Sequence, residues 1–264
     1  FSMPEFQKNY TVSRVEHFEA DIVRLTLDAP DIAAIARPGQ FVMVACGAMQ
    51  DPLLRRPFSV HSCYPNGRVQ LLLRVVGRGT ALLAATLAGQ ELSLLGPLGR
   101  GFGPPAADGE VCLIGGGIGS APLFFLAQWL VGQGIFPLVL LGAGSEKDHL
   151  PLLQEFRELG CAVHVSTDDG SLGHHGFVTG LLPSLSAKIS KVYACGPEPM
   201  MAAVAHFCAS QDKPLACEVS LETHMACGLG ACLGCAIPIP GRTDAYQHVC
   251  KQGPVFQAEE VVWR

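Results

Sequence analysis

Val111-Cys112-Leu113-Ile114-Gly115-Gly116-Gly117-Ile118-Gly119-Ser120-Ala121-Pro122 decides how the second half of this chain folds. Its first four residues form the short apolar run expected of a strand covered on both faces. The glycines permit a tight turn. Pro122 suits the first turn of a helix, predicted over 121–131, because its missing N–H has no helical carbonyl to bond there. From Val111 to Ser145 there is no Asp, Glu, Lys or Arg. A membrane span needs about 20 consecutive apolar residues. Here Gly115, Gly116, Gly117, Gly119, Pro122, Gly132, Gly134 and Pro137 cut the stretch into strand, turn, helix, turn and strand, so no span is expected.

Downstream, short apolar strands are predicted at 138–141, 162–165 and 192–194, with helices at 150–159, 178–182 and 199–210. Strand alternating with helix reads as a parallel sheet with helices on its faces. Upstream the grammar differs. Residues 21–27 alternate polar and apolar, Pro38-Gly39 turns into 40–44, and Asn66-Gly67 separates 58–62 from 69–75 as a hairpin. Several such strands predict a small antiparallel barrel, with a helix at 80–87 and an exit at Gly96-Pro97-Leu98-Gly99. The expected fold is a β barrel plus an α/β domain and a small C-terminal module. Its units run over 4–105, 106–212 and 213–264.

The chain has 264 residues, of which 49% are hydrophobic and 16% charged, with a net charge of −5. Too little Lys and Arg is present for nucleic acid, whose binding rests on neutralising phosphates. Disorder is excluded by the same composition. No basic-then-apolar leader opens the chain, so the expected location is cytoplasmic. Eleven Cys are present, and Cys217, Cys227, Cys232, Cys235 and Cys250 crowd the last 48 residues. In a reducing compartment, clustered Cys point to metal rather than to disulfides.

Four motifs carry chemistry. Cys227-x4-Cys232-x2-Cys235 followed by Cys250 has the plant-type ferredoxin spacing of a 2Fe-2S cluster, with structural zinc as the alternative. Gly228, Gly230 and Gly234 allow the backbone to bring N–H groups to the sulfurs, and Cys217 stands outside the pattern. Gly115, Gly116, Gly117 and Gly119 offer a phosphate cradle between strand and helix, or simply a tight turn. Arg55-Arg56-Pro57-Phe58-Ser59, Leu72-Leu73-Arg74 and Gly79-Thr80 offer guanidinium forks, N–H groups and a helix cap, or a solvated strand end. Cys195-Gly196-Pro197 and Asp168-Asp169 each follow a buried strand, where ligands of open α/β sheets bind, although either reads equally as a capped turn.

In order and content these motifs resemble the ferredoxin–NADP reductase superfamily. Within it, Met225-Ala226-Cys227-Gly228-Leu229-Gly230-Ala231-Cys232, Cys235 and His248-Val249-Cys250 resemble the electron-transfer subunits of type B dihydroorotate dehydrogenase. The resemblance runs from about Pro4 to Trp263. It implies FAD on Arg56, Pro57, Phe58, Ser59, Leu72, Leu73, Arg74, Gly79 and Thr80. It also implies NAD on the α/β domain and a 2Fe-2S cluster on the four motif cysteines. Leu73 stands where that family commonly has an aromatic. The implied activity is a relay: electrons from a dihydroorotate-oxidising, FMN-containing catalytic subunit pass through the cluster to FAD and leave as hydride to NAD⁺. A heterotetramer of two plus two is expected, with no dihydroorotate site in this chain. Alternatives are an NAD(P)H-linked subunit of a sulfide dehydrogenase-like or transhydrogenase-like complex, and a flavin-free zinc module.

Overall fold

The computed structural model describes residues 6–19, 21–47, 51–105, 109–149, 152–184 and 189–263. In the N-terminal half, apolar residues at alternate positions turn inward as strands require. Strands β1 (Phe6–His17), β2 (Ile22–Asp28), β3 (Phe41–Val44), β4 (Arg56–Cys63), β5 (Arg68–Arg74) and β6 (Glu91–Leu98) close into an antiparallel barrel. The order is β1-β2-β5-β4-β3-β6, and β1 completes the ring by pairing with β6. Val12, Leu25, Val42, Val60, Leu71 and Leu73 fill the interior. Between Leu71 and Leu73, Leu72 points the other way and packs with the second domain. The β4–β5 hairpin turns at Asn66-Gly67 as the sequence predicts, with Gly67 at φ +82°.

Two short helices decorate the barrel, α1 (Pro30–Ile35) and α2 (Arg78–Ala84). The sequence reading had no helix at α1 and placed α2 at 80–87. The helix starts earlier because Thr80 Oγ1 accepts the Gly77 N–H at 3.1 Å and closes the first turn. Gly96-Pro97-Leu98, expected to mark the exit, are the last residues of β6.

The second half is a seven-stranded sheet. Its strands are β7 (Glu110–Gly116), β8 (Leu138–Ala143), β9 (Ala162–Thr167), β10 (His174–His175), β11 (Ile189–Cys195), β12 (Ala216–Ser220) and β15 (Val255–Gln257). A hairpin of β13 (Ala236–Pro238) and β14 (Tyr246–His248) stands apart. The sheet order is β10-β9-β8-β7-β11-β12-β15, parallel except for β15. Period-2 geometry sends Cys112 and Ile114 to one face of β7 and Val111 and Leu113 to the other. Helices α3 (Ala121–Val131) and α4 (Leu152–Glu158) cover one face, and α5 (Glu198–Ala209) covers the other. The predicted helix at 178–182 is a 3-10 turn, Val178–Ser184, packed beside α5.

Helix α3 has the predicted bounds, and eight of its eleven residues are buried. A helix apolar on nearly every side must be covered on nearly every side. The sheet covers one side and barrel strand β4 the other. The barrel's exit is fastened by a buried ion pair, Lys191 Nζ to Glu218 Oε1 at 2.8 Å. Lys191 also donates to the Pro104 carbonyl at 3.0 Å, and Tyr193 Oη donates to the Gly103 carbonyl at 2.7 Å. Among the described residues no helix is long and apolar enough to cross a membrane. Pro4, the domain boundary near Ala106, and the predicted helix start at Leu150 lie outside the described residues.

Candidate functional site

Strand order fixes where ligands go. The chain runs outward from β7 through β8 to β9, then returns to β11 on the other side of β7. Such a switch point leaves a crevice at the carboxyl ends of the strands. Gly116 and Gly117 close β7 there, and Gly196 and Pro197 follow β11. The two loops touch: a Cβ on Gly119 would lie 2.7 Å from Gly196 Cα, and one on Gly116 would lie 2.8 Å from Pro197 Cδ. Gly117 differs, with φ +54° and nothing within 4 Å of a Cβ, so its backbone faces open space.

Three cavities meet at this crevice. One, of about 520 Å³, is lined by Gly116, Gly117, Gly119, Gly196, Pro197 and Trp263, among others. A second, of about 580 Å³, continues from Gly116, Gly117 and Pro197 to Asp168 at the end of β9. The third, of about 320 Å³, lies against the barrel on Pro57, Phe58, Ser59, Leu72, Leu73 and Thr80. Arg74, Ile118, Leu221, Glu222 and Thr223 line both the first and the third, so the three form one continuous trough. Each volume is in the range of cofactor sites, about 300–1,000 Å³.

The barrel end of the trough joins most of the residues named from sequence. Arg55 is occupied, donating to the Ser93 carbonyl at 2.7 Å and to Ser93 Oγ at 2.9 Å. Arg56 donates to the Leu54 carbonyl at 2.7 Å and lies against the start of α2, where a Cβ on Gly79 would be 3.3 Å from its Nε; neither Arg56 nor Gly79 lines the cavity itself. Arg74 pairs with Asp148 at 2.6 Å, yet its Nε is buried with no partner. Thr223 Oγ1 is likewise buried and unpartnered. Two buried, unpartnered polar atoms on residues that line one trough fit a polar ligand such as FAD, since burying them unpaired is costly. Burial pushes the Glu222 carboxyl up. Glu222 is nevertheless exposed by its surface area, and it lines both the first and the third cavity.

At the nucleotide end, Asp168 lines the cavity while Asp169 does not. Asp169 caps its own turn, accepting the Ser171 N–H at 2.9 Å and Ser171 Oγ at 2.6 Å, and these bonds hold its carboxyl below the usual range. Cys195 is buried in the core behind the crevice, and burial, reinforced by Glu222, raises its thiol. Sequence marks neither Leu221 nor Glu222, and Thr223 only as standing, with His224, where the resembled family more often has a basic residue before Met225. Their role comes from β12 ending beside β11.

The four sulfurs of the Cys-rich loop fall in two pairs, Cys227 with Cys232 and Cys235 with Cys250. Cys227 Sγ accepts the N–H groups of Leu229 at 3.3 Å and Cys232 at 3.4 Å. Partial burial opposes ionisation there, but those donors prevail and pull the Cys227 thiol down to about 6. Cys235 and Cys250 sulfurs are 3.2 Å apart, and the Gly230 N–H reaches Cys250 Sγ at 3.1 Å. Gly228 and Gly230, at φ +74° and +80°, make this wrapping possible. Among the described residues no group of three His, Cys, Asp or Glu side chains stands in a single-ion arrangement. Two thiol pairs fit a cluster with two irons, and the N–H donors suit its negative charge. Cys217 is elsewhere, in the core, hydrogen-bonded to Cys208.

Comparison with known proteins agrees with this geometry. Residues 222–262 match the iron-sulfur cluster binding domain of dihydroorotate dehydrogenase B. The dihydroorotate dehydrogenase B (NAD(+)) electron transfer subunit of Desulforamulus reducens is 44% identical over 243 residues, covering 90% of this chain and 92% of that protein. Its counterpart from Geobacillus kaustophilus is 43% identical over 241 residues, with 90% and 91% covered. Among solved structures, an NADH-dependent reduced ferredoxin-NADP oxidoreductase studied for electron bifurcation superposes with a TM-score of 0.84 at 30% identity, over 96% of this chain and 90% of that one. The ferredoxin reductase of carbazole 1,9a-dioxygenase shares the fold, with a TM-score of 0.68 at 22% identity over 81% and 68%. With that identity over nearly its whole length, the chain belongs to the family of dihydroorotate dehydrogenase B (NAD(+)) electron transfer subunits.

Proposed function

We propose that this chain passes electrons from a dihydroorotate-oxidising catalytic subunit to NAD⁺, using a 2Fe-2S cluster and FAD. The observation that carries the reading is the continuity of the trough with the cluster loop. Met225 lines the flavin cavity and is two residues from Cys227. Bound FAD supplies the conversion between one-electron and two-electron transfer.

The chain's own residues bind and orient. Cys227, Cys232, Cys235 and Cys250 hold the cluster. Arg56, Pro57, Phe58, Ser59, Leu72, Leu73, Arg74, Gly79 and Thr80 hold FAD, with Thr223 as an added donor. Gly115, Gly116, Gly117 and Gly119 seat the nucleotide pyrophosphate, while Gly196 and Pro197 flank it and Asp168 faces the adenosine ribose. Asp169 and Cys195 support the site from behind. No general acid or base is required of this chain. The units 4–105, 106–212 and 213–264 carry FAD, NAD and cluster respectively, the last lending β12 and β15 to the sheet.

The family is one of subunits, so a catalytic partner subunit is implied. We assign it FMN and a two-plus-two assembly, since closed twofold symmetry is the commonest arrangement. Eleven free thiols suit work in the reducing cytoplasm. Metal and flavin analysis of anaerobically prepared protein tests the cofactor assignment. Iron, labile sulfide and FAD are expected; zinc in fully loaded protein, or FMN as the released flavin, would contradict it.

A further inference from the structure

His61 lies two residues beyond Ser59 on β4, and its side chain is completely buried at the seam between barrel and nucleotide domain. Its Nδ1 is 2.9 Å from the carbonyl of Ala121, the first residue of α3. A carbonyl only accepts, so Nδ1 carries the proton and donates. Nε2 is 3.1 Å from Glu155 Oε2 on α4, and Glu155 in turn pairs with Arg24 of β2. The ring stacks on Phe124 of α3, with centroids 5.0 Å apart. Ala121 and Pro122 also line the flavin cavity, directly after the turn of Gly116–Ser120 that faces the nucleotide. One buried bond therefore ties the strand bearing the flavin motif to the helix start bearing the nucleotide turn.

We propose that His61 is a positioning residue for transfer between FAD and nicotinamide: its Nδ1–H bond to Ala121 fixes the spacing of the two cofactor-bearing elements. The proposal rests on the function given above. It goes beyond that reading in assigning the alignment to a side chain that touches neither cofactor. Position matters because a displacement of about 1 Å costs on the order of a hundredfold in rate. A neighbouring bond, Ser62 Oγ to Gln128 Oε1 at 2.7 Å, joins β4 to the middle of α3 and serves as the control.

The test uses the full flavin- and cluster-loaded chain, mixed rapidly with NADH. His61→Leu should slow flavin reduction about tenfold or more, with the NADH concentration giving half-maximal rate changed less than about threefold. His61→Asn, whose amide keeps a donor near the Nδ1 position, should recover most of the rate. His61→Gln, whose longer side chain sets its amide toward Glu155, should not. Ser62→Ala should reduce at the wild-type rate. Amide hydrogen exchange, read without NADH, should rise across 121–126 in His61→Leu and His61→Gln but not in His61→Asn. If His61→Leu does not fold, the Asn–Gln contrast decides. Equal rates in those two variants, or wild-type rates in His61→Leu, would overturn the proposal. Failure of the wild-type flavin to accept electrons from NADH would instead overturn the proposed function.

Discussion

Arg55 spends its guanidinium on Ser93, whereas Arg56 donates to the Leu54 carbonyl at 2.7 Å and lies beside the start of α2, next to the Pro57–Ser59 wall of the barrel cavity. Arg56→Ala should therefore weaken FAD retention by about 1.5–3 kcal/mol, the worth of a hydrogen bond to a charged group. Flavin release on dilution measures this, and Arg55→Ala should lower thermal stability more than flavin affinity. The cysteines separate in the same way. Cys227→Ser should abolish the visible cluster spectrum, while Cys217→Ser, in a core hydrogen bond with Cys208, should leave it intact. Asp168 lines the cavity proposed for the nucleotide; on that proposal an added 2′-phosphate would meet its carboxylate. Steady-state rates should favour NAD over NADP, and Asp168→Ser should narrow that preference. A single sequence shows which residue types are present but not which partners two adjacent arginines take, Ser93 for Arg55 and the Leu54 carbonyl for Arg56. The unpartnered atoms of Arg74 and Thr223 were invisible for the same reason.

Local pattern is strong where an element is long or punctuated: α3 has the predicted bounds, and β7 covers the predicted Val111–Ile114 but extends from Glu110 to Gly116, taking in the first two turn glycines. It is weak for β12 and β15, five and three residues long, which owe their place to pairing at the sheet edge. Leu221–Thr223 join the site only because that edge exists. The β4–α3–α4 seam also has a consequence for pH. Burial pulls the His61 imidazole from 6.5 down to about 4, while Glu155 and Arg24 face it from α4 and β2. The unfolded chain takes up that proton near pH 6.5. Stability from this site is thus full above pH 6.5 and is lost as pH falls toward 4, where the loss levels off. Urea melts should show the wild type losing more over that interval than His61→Asn, and equal losses would contradict the assignment.

At the scale of the whole molecule, barrel, sheet and Cys-rich loop are arranged so that one trough runs from Asp168 past Gly116 and Gly117 to the barrel wall and reaches Met225, two residues from Cys227. Exposed Leu229 and Leu233 flank the cysteines of that loop, and Cys232 is itself exposed. A partner seated there would shield the cluster and bury at least about 1,200 Å² in total, as a stable interface does. The barrel and the sheet were legible in sequence because period and glycine placement encode them. The trough was not, because it is built from loops brought together by strand order. The most direct measurement follows NADH formation from dihydroorotate and NAD⁺ with the isolated chain and with the chain combined with its FMN-bearing catalytic subunit. The isolated chain should reduce an artificial acceptor with NADH yet leave dihydroorotate untouched, and the combination should form NADH. Dihydroorotate oxidation by the isolated chain, or no NADH from the combination, would contradict the relay.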